Sequence, residues 1–138
     1  MSLTVGVGAR PGTSAAAVDA AIGAALASAG LEPARVTALA TIDRRASEPG
    51  LVEVADRRGW RLVGYPAPEL AGEPVPHPAE RVRAATGTPS VAEAAALRAV
   101  RDAGGEPVLL LTKRVDGDVT VAVAGPAGYP DAYRHHGG

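Results

Sequence analysis

The chain contains no cysteine. That excludes disulfides, thiolate catalysis and cysteine-ligated metals. It also has no phenylalanine, a single tryptophan and a single methionine. Alanine, valine and leucine must therefore fill the core, and side chains this small require close backbone approach to pack densely. Lysine occurs once among 14 basic residues, at Lys113. The wealth of Arg, Ala, Gly and Pro fits GC-rich coding, so arginine usage says little by itself and the lone lysine says more. No stretch is long and apolar enough to span a bilayer. The start, MSLTVGVG, lacks the charged region and apolar core of a signal peptide. A net charge of −1 gives no global field for nucleic acid or an anionic membrane. The expectation is a cytoplasmic protein with no nucleic-acid or membrane partner.

Hydrophobic residues make up 46% of the 138, enough for one domain over 1–138 with a real core. Leu3 to Val7 is a strand candidate that runs into the Gly/Pro loop GARPGT. A helix follows over SAAAVDAAIGAALASAG, capped by Thr13 or Ser14 and stopped by Gly30. Its only charge is Asp19, which suggests that most of its surface is packed. Val36 to Ile42 is apolar on both faces apart from Thr37 and Thr41, as in a covered parallel strand. Pro49 or Gly50 opens a short helix through Arg58, and Arg61 to Tyr65 is a third strand. PAPELAGEPVPHPAE, with five prolines, reads as a surface excursion with helical turns at 68–70 and 79–84. In TGTPSVAEAAALRAVRDAGG, Ser90 and Glu93 form a capping box and Gly104 ends the helix. Pro107 to Thr112 is a fourth strand, Asp116-Gly117 a hairpin turn and Val119 to Ala124 a fifth strand. The ordered core spans about 3–124, with a tail over 125–138.

This alternation predicts an α/β fold: a three-layer α/β/α sandwich on a mostly parallel sheet of about five strands with an antiparallel edge strand. The expected strand order is 3-2-1-4-5. Parallel strands deliver their following loops to one edge, where ligands of open α/β sheets bind at the point where strand order reverses. Here that point falls between Gly8 and Lys113. The edge collects Gly8, Arg10, Gly12 and Thr13 from the first loop, and Asp43, Arg44, Arg45 and Glu48 from the second. Gly87 and Ser90 come from a helix start, and Lys113 from the end of the fourth strand. Cations and helix N-termini favour an anionic ligand carrying several carboxylates or phosphates. Asp43, Glu48 and Glu93 then orient the arginines, cap helices, or act as acid or base.

Other readings carry less. GVGARPG misses the dinucleotide pattern by one residue. His77, His135 and His136 lack ligand spacing, so neither a metal nor a cofactor is expected. No Ser-His-Asp arrangement is identifiable. For Glu93 the capping box is a simpler role than catalysis.

Four segments in order, VGVGARPGTSAAAVDAAI, LATIDRRASEPGLVEVADRRGWRL, TGTPSVAEAAAL and LLLTKRVDGDVTVAVA, resemble the CobE / CbiG C-terminal domain family of cobalamin biosynthesis. The I-D-basic-basic-x-x-E-P-G-L segment and the S-V-A-E-A-A-A-L helix start are the most specific parts. Ala9 and Pro11 depart from the family's usual cysteine and second basic residue, and Arg45 stands at its lysine. The resemblance implies a role in building the corrin ring, in a CobE-like form with this domain alone or as the C-terminal domain of a longer protein. It implies as ligand a precorrin or cobalt-precorrin, whose acetate and propionate groups suit the cationic edge. Two further readings stay open. One is cobalt-precorrin-5A hydrolase-type activity, opening a lactone and releasing acetaldehyde. There Glu48 or Glu93 is the base, and an arginine or Lys113 stabilises the oxyanion. The other is an interaction domain that docks other corrin-pathway enzymes through the Pro-rich segment.

Overall fold

The computed structural model describes residues 2–74 and 90–128. Strand β1 (Leu3–Ala9) leads into helix α1 (Ala15–Ala29), and β2 (Val36–Ile42) into α2 (Pro49–Arg58). Then come β3 (Arg61–Tyr65), the short helix α3 (Ala67–Ala71), α4 (Val91–Asp102), β4 (Pro107–Asp116) and β5 (Val119–Pro126). The local signals act as expected. Ser14 Oγ accepts from Ala17 N at the start of α1, and Gly30 closes that helix in the left-handed region at φ 69°. Pro49 sits in the first turn of α2 and Gly59 ends it. The expected turns at 79–84 lie outside the described residues.

The sheet order is β3-β2-β1-β5-β4. The sheet is mixed, and its outermost pairing on one side, β4 with β5, is antiparallel. The order expected from sequence is corrected in one respect: β5, not β4, lies against β1, and β4 is the edge. The reason is burial. Val119 and Val121 to Gly125 are buried in β5, whereas residues 112–118 are exposed. A strand carrying Lys113, Arg114 and Asp116 suits an edge, where charges discourage further pairing. β4 is also longer than expected, so Lys113 lies inside it rather than at its end.

The two faces of the sheet pack differently. On one, Val18, Ile22, Leu26, Leu51 and Val54 from α1 and α2 cover Leu3, Val5, Val7, Leu39 and Val121. On the other, α4 presents alanines. Ala94, Ala95 and Ala99 meet Ala40, Ile42 and Tyr65, and Ala96 and Leu97 meet Ala124. The helix lies so close that a Cβ on Gly6 would stand 1.9 Å from the Ala92 carbonyl oxygen. Backbone proximity thus replaces the missing large side chains. α1 differs from expectation: Ala16, Ala17, Ala20, Ala27 and Ser28 are exposed. Alanine keeps a strong helix preference in water, so the lack of charge does not require burial.

Candidate functional site

The loops after β1 and β2 meet at the carboxyl edge and are tied together. Glu48 Oε1 accepts from Gly12 N at 2.9 Å. Arg45 Nε donates to the Ala9 carbonyl at 3.2 Å. Gly50 lies so near the first loop that a Cβ there would come within 2.4 Å of Thr13 O. Thr13 Oγ1 and Thr13 N both donate to Arg10 O, at 2.7 and 3.2 Å, closing the first loop on itself. Glu48 occupies the N-cap position of α2 without capping it by its side chain. It cross-links two loops instead.

Residues 43–45 form a single 3-10 turn in which Asp43 and Arg44 are exposed and Arg45 is half-buried. Neither Arg44 nor Arg45 makes an ion pair among the described residues. Arg35, Arg57, Arg58, Arg98 and Arg101 do, whereas Arg61 and Arg114, like Arg44 and Arg45, have no ion pair among the described residues. Arg10 turns to Asp118 at 3.4 Å with 81% of its side chain exposed, so its charge is partly answered from within the chain.

A second cluster forms where α4 begins. Ser90 Oγ accepts from Glu93 N at 3.1 Å, and Glu93 Oε1 accepts from Ser90 N at 3.0 Å, which is the expected capping box. The other oxygen, Oε2, accepts from Lys113 N in β4 at 3.0 Å. Glu93 is buried, with 3% exposed. Its carboxylate has no oxygen left unbonded for a substrate. The first turn of α4 lies over β1 at Gly6.

The crevice expected between Gly8 and Lys113 is closed by β5: Gly8 pairs with Thr120, and Val121 pairs with Arg114. The edge offers instead an open groove of about 460 Å³ between the start of α1 and the β4–β5 hairpin. Gly12, Thr13, Ser14 and Ala17 line one side, Asp116 and Asp118 the other. Two carboxylates make that groove poor for an anion. The hairpin turn at Asp116-Gly117 is the one expected from sequence; its position beside α1 follows only from the strand order. Gly87 lies outside the described residues, as do His77, His135 and His136. Among the described residues no helix is long and apolar enough to cross a membrane.

Comparison with known proteins gives this architecture its place. Residues 3–124 match the family described as cobalamin synthesis G C-terminus. A cobalt-precorrin-5A hydrolase of Priestia megaterium is 37% identical over 122 residues, covering 88% of this chain and only 32% of that protein. Protein CobE of a Sinorhizobium species is 39% identical over 127 residues, covering 91% of this chain and 80% of that one. The crystal structure of CobE, from the cobalamin (vitamin B12) biosynthetic pathway, superposes with a TM-score of 0.71 at 38% identity, covering 89% of both chains. The cobalamin biosynthesis protein chiG from Agrobacterium tumefaciens does so at 0.71 and 32%, covering 91% of this chain and 98% of that one. The match from 3 to 124 takes in both loops, the capping-box helix and the β4–β5 hairpin, and on it the chain belongs to the CobE / CbiG C-terminal family of cobalamin biosynthesis proteins.

Proposed function

We propose that this chain binds a precorrin or cobalt-precorrin intermediate by its acetate and propionate carboxylates, on the carboxyl edge beside Arg44, Arg45 and Lys113. One observation carries the reading. Arg44 and Arg45 have no carboxylate partner among the described residues, on a turn whose neighbouring loops are braced by Glu48 and by Arg45 itself. Charge held on a fixed frame and unanswered within the protein is suited to bind anions tightly. Arg10 contributes less, because Asp118 competes for it. Absorbance titration with uroporphyrin III, an octacarboxylate tetrapyrrole, tests this. Arg44→Ala should weaken binding by roughly 1.5–3 kcal/mol, or about 10- to 150-fold. Equal affinity for parent and variant would show Arg44 to be a solvated surface charge.

A second reading is lactone hydrolysis, favoured by the similarity to a cobalt-precorrin-5A hydrolase. Both oxygens of Glu93 are taken by backbone amides, so Glu48 is the better base: half-buried, with one oxygen on Gly12 N. The chain spans about a third of that relative's length, which makes the binding role the simpler one. Acetaldehyde release from a cobalt-precorrin separates the two: binding without release fits the first, and release abolished by Glu48→Gln fits the second.

A further inference from the structure

Strand β4 is irregular where it passes the start of α4. Leu111 pairs with Val123 and Arg114 with Val121, so three steps along β4 are matched by two along β5. The extra residue makes a bulge, a device that re-aims side chains and leaves an amide without a ladder partner. A backbone N–H so orphaned needs another acceptor. For Lys113 the acceptor is Glu93 Oε2, from a different element. The same carboxylate holds Ser90 N on its other oxygen. An ordinary capping box needs only that second bond. Here the carboxylate also joins the helix start to the strand, at the single lysine of the chain.

We infer that Glu93 is a positioning residue. Bonded at once to the first turn of α4 and to the bulge of β4, it fixes where Lys113 emerges on the carboxyl edge and hence its grip on a carboxylate ligand. This rests on the reading that Lys113 contacts the tetrapyrrole. The chemistry of the position is restrictive. Two N–H donors converge on one side chain, so both of its oxygens must accept. A carboxylate does so; a glutamine has a single acceptor oxygen and turns an NH₂ group toward the remaining N–H. Aspartate keeps the charge but is one methylene short.

The test is a double-mutant cycle on the whole chain, read by uroporphyrin III titration and by hydrogen exchange at the Lys113 amide. Glu93→Gln should speed that exchange by roughly tenfold or more, the mark of a lost hydrogen bond. It should also lower affinity by the same factor as Lys113→Ala, and Lys113→Ala added to Glu93→Gln should change nothing further. Arg101→Ala is the control. It destabilises the same helix by leaving Glu73 without its partner but keeps Lys113 N bonded, so its affinity should match the parent. Glu93→Asp is measured alongside in case the amide variant does not fold, with the same outcome expected. If Lys113→Ala weakens binding equally in the parent and in the Glu93 variants, Glu93 only caps the helix and the inference is overturned, while the ligand reading stands. If Lys113→Ala leaves the parent's affinity unchanged, the ligand contact itself is wrong, and the inference falls with it.

Discussion

Arginine appears in two settings that differ in one respect, the supply of acid. On α4, Arg101 donates from Nε and Nη2 to Glu73 Oε2 at 3.0 and 2.8 Å. The Glu73 side chain is 2% exposed. Arg98, one turn earlier, reaches Glu69 at 3.0 Å and Asp102 at 3.1 Å, and its Cζ lies 5.6 Å from the centre of the Tyr65 ring. At the carboxyl edge Arg45 meets a backbone carbonyl, and Arg44 has no acidic partner among the described residues. In the first setting carboxylates absorb the charge and the arginines join α3 to α4. In the second the charge stays available to a ligand. The residue type is the same; its neighbours decide whether it serves the fold or the site.

Removing each kind should therefore give opposite results. Arg101→Ala leaves the buried Glu73 carboxylate without its guanidinium. Removing one partner of a buried pair is strongly destabilising, and since Arg101 is 43% exposed we expect the lower end, about 2–3 kcal/mol by denaturant titration. Uroporphyrin affinity should be unchanged. If this variant kept its stability and lost affinity, the division between the two settings would be broken. Ser90→Ala should cost about 1 kcal/mol, the usual value of a lost N-cap. It would show that the edge also has a structural part, distinct from its cations.

The smallest effect concerns pH. Burial, with the Asp102 charge and hydrogen bond acting in the same direction, pushes the Tyr65 phenol from 10.0 to about 12. A pKa raised on folding means that the folded state prefers the protonated form. The stability Tyr65 contributes is thus complete below about pH 10 and is lost as pH rises through about 12. Tyr65→Phe should make the fall in melting temperature over that window shallower than in the parent. An equally steep fall would show that the Tyr65 hydroxyl does not titrate in this way.

Much of this was legible in the residues, and what was not has physical causes. Gly59 and Pro49 bounded α2, and the bounds of β2 and β3 followed from their apolar runs. Parallel strands put the 8–13 and 43–50 loops on one edge, as the tie from Glu48 to Gly12 now shows. The hairpin was the weak point, because either of its strands can pair with β1. The informative sign was charge: Lys113, Arg114 and Asp116 in β4, none from Val119 to Pro126 in β5. The bonds of Glu48 to Gly12 and Glu93 to Lys113 span 36 and 20 residues, and no local pattern encodes them. The bulge that offers Lys113 N to Glu93 is likewise a product of pairing with β5.

The most direct test sets one arginine from each setting side by side. Parent, Arg44→Ala and Arg101→Ala are titrated with uroporphyrin III at low and at physiological ionic strength. The account predicts that Arg44→Ala binds roughly tenfold or more weakly at low salt. It also predicts that this gap narrows as salt screens the charge, and that Arg101→Ala follows the parent throughout. Three coincident curves, or a loss confined to Arg101→Ala, would contradict it.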